Sequence, residues 1–211
     1  LDMASFFGKL DKIFFSSDAE REQAAEAIRS QRQTLIKSLQ SVVRSVYAES
    51  ARTDGEQRLN DKSPHVRELC EAIELVLSHG IRKHAHNTLW RVSLALKGPP
   101  TAVASCIGSV KVARFVNTDA GRTHALVRAA LSKGCVDALL STLLRQRPVL
   151  QQAYVPHALL RADEEASIVE SLLAGLSALS FDLPHDVATL DHRPAPATAA
   201  PAPAPAPSPS A

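Results

Sequence analysis

Three imidazoles, His79, His84 and His86, lie within one short stretch and are the first residues to test for chemistry. A metal centre would need cysteines or carboxylates beside them, and none lies close in sequence, so IRKHAHN over 81–87 reads as a solvated basic turn. The acids Asp163, Glu164 and Glu165 could supply paired carboxylates for acid–base work. They stand where a helix begins, however, and negative charge at the positive end of the helix dipole explains them fully. The chain holds no phosphate-binding glycine loop, dinucleotide fingerprint, HExxH, GxSxG or kinase-type set. Cys70, Cys106 and Cys135 are far apart, without a CxxC pair, and read as small buried hydrophobes in a reducing compartment. The expectation is a non-enzymatic protein with no cofactor and no metal.

Charge distribution is more informative. From His79 to Lys133 there are nine Lys or Arg residues against one acid, Asp119, a net of +8 in a chain whose total is only +2. One basic block between acidic shoulders predicts a polarised surface. Nucleic acid is a poor fit, because no aromatics interleave the cations and the overall charge is small. An acidic protein surface fits better.

These residues must be positioned by helices. Aromatics make up only 4% of the 211 residues, Ala and Leu abound, and β-branched runs are few. Residues 1–16 form an apolar leader with Phe6, Leu10, Ile13 and Phe14 at helical spacing, able to dock on the domain, lie in a membrane interface or grip a partner. Ser17 and Glu20 make a capping box for a long helix to about Glu49, with a stripe of Ile28, Leu35, Leu39, Val42 and Val46. Residues 50–62 read as a loop. Ser63-Pro64 starts a helix that buries Val66, Leu69, Cys70, Ile73 and Leu77, and Gly80 ends it as a left-handed cap. Glu71, Leu75 and His79 fall on its other side: either the helix is buried on both sides, or Leu75 and His79 share a contact surface. A short helix over 88–96 holds Trp90, a core anchor. Two short pieces over 101–106 and 109–116 lead to a central helix opened by Asn117, Thr118 and Asp119 and closed by Lys133 and Gly134. An apolar helix over 136–145, a piece from Pro148, and a last helix from Asp163 with Ile168, Leu172, Leu176 and Leu179 inward complete the domain, which Pro184 ends. The domain is thus expected over 17–191, with a disordered Ala/Pro linker over 192–211 that implies further chain.

Three blocks carry a family resemblance: LCEAIELVLSHGI (69–81), ARFVNTDAGRTHALVRAALSKGCVDALLSTLL (113–144) and YVPHALLRADEEASIVESLLAGLSALSFDL (154–183). In order and spacing they resemble the RUN domain family, most closely the lysosomal adaptors that join a RUN domain to pleckstrin-homology domains. The resemblance implies an all-α bundle of about eight or nine helices. It also implies an effector or adaptor module that binds a GTP-loaded small GTPase of the Arf-like or Rab class. The protein is then expected in the cytoplasm, recruited to late endosomes or lysosomes in trafficking or autophagy. Where those adaptors commonly carry arginine and tryptophan after the Gly-Arg pair, this chain has His124 and Leu126.

In the adaptors the His-Gly turn and the Gly-Arg helix are linked to GTPase contact, and the matching positions here are His79, Arg82, Arg122 and His124. Arg128 and Lys83 join them on the charge argument. Helical geometry puts His124 and Arg128 on one face, opposite Leu126 and Ala130, and so in solvent. Arg122 lies near the apolar edge, where a structural role is an equal alternative, its stem on the core and its head on a carboxylate. Two other classes stay open: a peripheral module held on anionic membrane by the basic block and the Phe-rich leader, and a dimerisation module.

Overall fold

The computed structural model describes residues 18–52, 58–82 and 88–192. The expected leader helix over 1–16, the Ser17–Glu20 capping box, Lys83, His84, His86 and the linker from 193 onward lie outside the described residues.

Among the described residues the chain is an all-helical bundle, with eight α-helices and one pair of two-residue strands. Helix α1 (Asp18–Arg52) is the longest. Ile36, Leu39, Val43 and Val46 form its buried stripe, with Leu35 and Val42 half-buried beside it. Helix α2 (Pro64–Ser78) starts as its sequence dictates: the Ser63 hydroxyl accepts the Val66 amide at 3.3 Å, and Pro64 occupies the first turn, where its missing N–H costs nothing. The same hydroxyl donates to Glu49 at 2.5 Å and pins the start of α2 to α1. Helix α3 (Leu89–Leu94) carries Trp90, buried as expected.

Helix α4 (Thr101–Lys111) is one element where the sequence reading expected two pieces. A side chain at Gly108 would meet open space, so that glycine marks neither a break nor a close approach. Helix α5 (Asp119–Ser132) lies at the centre, packed against α2, α3, α4 and α6 (Val136–Arg145). Helix α7 (Arg147–Ala153) leads through a 3₁₀ turn at Leu159–Arg161 to α8 (Asp163–Gly175).

The face of α8 differs from the expected one. Ala166, Val169, Leu173 and Leu176 point inward, Leu172 is half-buried and Ile168 is exposed. Apolar residues fill two overlapping i, i+3/i+4 rows, and contact with α1 decides between them. The Tyr47 hydroxyl donates to the Gly175 carbonyl at the point where α8 tightens into a 3₁₀ turn. Strand β1 (Leu59–Asn60) falls within the expected loop and pairs in parallel with β2 (Phe181–Asp182). The fold also continues past Pro184: Leu190 is buried, and residues 186–191 fold back against the start of α5.

The turn after α2 shows how tightly the bundle closes. Gly80 takes φ +77°, and a Cβ there would lie 2.5 Å from the Cβ of Ala158. Its carbonyl accepts the Val155 amide at 2.8 Å, and the Arg82 amide donates to Ala153 at 2.8 Å. Gly80→Ala therefore combines left-handed strain with a backbone clash. Urea unfolding is expected to show a loss of about 3 kcal/mol, whereas Gly108→Ala at its open site should leave stability unchanged or slightly raised.

Candidate functional site

The central helix begins with stacked caps. Thr118 is the N-cap, its hydroxyl accepting the Gly121 amide at 2.9 Å. Asp191 returns from 73 residues away to accept the Thr118 amide at 3.0 Å and hydroxyl at 2.8 Å, and the Asn117 amide at 2.8 Å. A Cβ on Gly121 would fall 2.1 Å from the Asp191 carboxylate, which is why glycine stands there. Just upstream, Asp186 accepts the Arg114 amide at 3.0 Å and the Phe115 amide at 2.8 Å. Those two bonds hold the Asp186 carboxyl below its ordinary range. Desolvation alone would raise Asp191, but the amides of Asn117 and Thr118 and the Thr118 hydroxyl together bring it below the usual value.

Arg122 follows in the first turn. Its guanidinium lies over the Trp90 ring, 5.8 Å from the centroid, and its Nε donates to the Val116 carbonyl at 3.4 Å. The structural role is thus an indole face and a carbonyl rather than a carboxylate. The neighbouring Arg91 pairs with Asp119 at 2.6 Å, and the Trp90 amide donates to Thr123 at 3.2 Å, so α3 is sewn to α5.

The expected solvent face of α5 is absent. His124 is 4% exposed, and its Nδ1 meets the carboxylate of Glu74, itself buried on α2, at 2.5 Å. Arg128 is also 4% exposed; it donates through Nε to the Pro184 carbonyl at 2.7 Å and through a terminal nitrogen to Asp61. Beside Arg128 opens a cleft of about 570 Å³ whose wall includes Asp61, Glu68 and Glu71 against Arg67 and Arg128. Acids outnumber cations there, so the region is not a basic patch. The helix-wheel argument failed because it assumed one wet side, while α5 is buried from Thr123 to Leu131.

His79 is buried too. Its Nδ1 accepts the Leu159 amide at 3.0 Å. Burial first, then the charges of His157 and Arg32, lower its pKa and keep it a neutral acceptor. Neither alternative for α2 holds: Arg67, Glu68 and Glu71 form an exposed stripe, Leu75 is half-buried beside it, and His79 is sealed inside rather than sharing a surface with Leu75. Arg82 is half-buried in this turn. The six candidates therefore do not gather into one exposed patch: His79, His124 and Arg128 are internal, Arg82 and Arg122 are partly accessible, and Lys83 is not described.

The sequence reading missed Glu74, Asp61, Asp186 and Asp191. Glu74 had a local signal, an acid set among the apolar residues of α2. The other three gain their roles only through contacts 67 to 74 residues away in sequence. No group of three or more His, Cys, Asp or Glu suited to a metal occurs among the described residues.

The comparisons with known proteins agree with this frame. Residues 68–187 match the RUN domain. The chain belongs to the RUN domain family. It is 26% identical over 180 residues to Protein RUFY3 of Homo sapiens, and equally to that of Pongo abelii, covering 81% of this chain and 37% of the relative. It is 25% identical over 141 residues to mouse Pleckstrin homology domain-containing family M member 2, covering 64% of this chain and 13% of the relative. The chain thus spans about a third or less of these relatives. The pleckstrin-homology protein fits the expected likeness to adaptors combining the two domain types.

Two stability measurements follow. Removing Arg128 leaves Asp61 and the Pro184 carbonyl unpaired, so Arg128→Ala should lower the urea-derived stability by about 3 kcal/mol, and Arg128→Lys should recover only part of it because the fork geometry is lost. For His79, the unfolded imidazole binds a proton more readily than the folded one. Its contribution to stability is therefore complete above about pH 6.5 and declines as pH falls below that value. Melting curves from pH 8 to 5 should show the decline, and His79→Asn, which keeps an acceptor without titrating, should reduce it, the remainder coming from His185, whose pKa burial also lowers.

Proposed function

We infer that this domain is a non-enzymatic effector module that binds a small GTPase of the Arf-like or Rab class in its GTP-bound state. Within a longer adaptor it would act in the cytoplasm on late endosome or lysosome membranes, in trafficking or autophagy. The observation that carries the reading is the RUN family match over residues 68–187, joined to a basic block several of whose members are exposed. Arg91, Lys97, Lys111, Arg114 and Lys133 are exposed, and Arg82 and Arg122 are half-exposed. Exposed cations steer an acidic partner, while apolar residues such as the half-exposed Leu75 supply contact area.

In this reading the six candidates divide by role. Arg82, Arg122 and Lys83 serve as direct contacts. His79, His124 and Arg128 act as positioning residues that fix the His-Gly turn and the central helix. Among the described residues no helix is long and apolar enough to cross a membrane, so recruitment would come through the partner or other parts of the chain. The test is a pull-down against GTP-locked and GDP-locked Rab and Arf-like proteins. One GTP-locked protein should be captured, Arg82→Glu should weaken its capture about tenfold, and the GDP-locked form should bind far less. Equal capture of both nucleotide states would remove the effector reading.

A further inference from the structure

The loop joining α4 to α5 exposes two large apolar side chains, Val112 at 74% and Phe115 at 59%. They are the most exposed large hydrophobics among the described residues, and they stand three positions apart in this loop. Lys111 precedes the first and Arg114 the second; both are exposed, and neither joins an ion pair among the described residues. Six of the seven amides from Val112 to Thr118 donate hydrogen bonds. The Val112 amide donates to Gly108 and that of Ala113 to Val110. Those of Arg114 and Phe115 donate to Asp186, and those of Asn117 and Thr118 to Asp191.

We propose that this loop is a membrane-docking element that seats Val112 and Phe115 in the interface of an anionic bilayer while Lys111 and Arg114 contact its headgroups. Three features favour a lipid surface. The apolar tips and cations interleave along Lys111-Val112-Ala113-Arg114-Phe115, and a headgroup layer over acyl chains accepts both together. The amides of Val112 to Phe115 are already bonded, so lowering this part of the loop out of bulk water strands none of those donors. The carboxylates of Asp186 and Asp191 sit on backbone amides at the base of the loop and form no direct ion pair with the heads of Lys111 and Arg114, although the Asp186 charge attracts Arg114 from below. The contact would be weak, as one loop provides it, and suited to orienting a domain held by a second interaction. It stands independently of the GTPase reading.

The test is co-sedimentation of the full chain, without GTPase, with phosphatidylcholine vesicles and with vesicles carrying about a third phosphatidylserine. Binding should appear only with the anionic lipid and fade at high salt. Val112→Asp with Phe115→Asp should lower the partition at least about tenfold, and Lys111→Glu or Arg114→Glu about fivefold each. A Phe115→Trp variant, which keeps an exposed aromatic, should shift its emission to the blue on adding anionic vesicles. The proposal is overturned if anionic vesicles neither pellet the chain nor shift that emission. It is equally overturned if the double aspartate variant pellets like the unaltered chain and binding disappears only on deleting residues 1–17. Two other occupants are distinguishable. A doubled mass in light scattering that the aspartates reverse would assign the loop to a second copy of the chain. Loss of GTPase capture by that variant with vesicle binding intact would assign it to the protein interface. Either result sinks the membrane proposal.

Discussion

The whole bundle depends on a helix with no wet side. From Thr123 to Leu131 every side chain of α5 is buried, and two of them, His124 and Arg128, are ionisable. Buried groups of that kind are tolerable only with partners, because an unpaired one costs several kcal/mol. Each therefore draws a distant segment inward. Glu74 brings α2 onto His124, Asp61 brings the β1 region, and the Pro184 carbonyl brings the strand that follows α8. The parallel pairing of Leu59–Asn60 with Phe181–Asp182 runs beside the last two contacts, so a minimal sheet and one arginine close the same seam. Polar links of this sort fix which elements neighbour which, while apolar contact supplies the bulk of the burial.

This constraint also explains what was legible in the sequence. Caps and stops were readable because they act within one helical turn: Ser63-Pro64 opens α2, Gly80 takes the left-handed cap, and Thr118 caps α5. Trp90 as a core anchor and the helical class followed from composition and periodicity. The orientation of α5 was not readable, since a helix wheel reports which side is less polar and says nothing when both sides are covered. The α8 register failed for a related reason: two apolar rows compete, and only α1, through Tyr47 at Gly175, selects one. The short strands and the returning 186–191 segment carry no local pattern, because their bonds run to residues far away in the chain.

The basic block was real in the sequence yet misleading as a map of the surface. Its cations among the described residues separate into distinct environments. Arg128 is an internal strut, Arg122 lies across an indole, Arg91 holds Asp119, and Lys133 donates to the Ser105 carbonyl and hydroxyl. Family likeness points to the His-Gly turn and the Gly-Arg helix, and both stand out here for packing reasons that need no partner. Gly80 admits Ala158, Gly121 admits Asp191, and His79 receives the Leu159 amide. A motif can persist because it shapes a surface without forming part of it.

The acids near the start of α5 show how such a surface keeps its charge. Asp186 and Asp191 could have paired with the exposed cations at 111 and 114, a surface arrangement worth little in water. Instead they accept four backbone amides on the approach to the helix, donors that would otherwise depend on solvent. Charge-assisted bonds to amides order the loop more firmly than a mobile lysine could. Because the carboxylates are bonded to the backbone, the loop is held in place, and Asp186 attracts Arg114 without a direct ion pair. The order of the loop thus comes from two residues of the segment that follows Pro184, far from it in sequence.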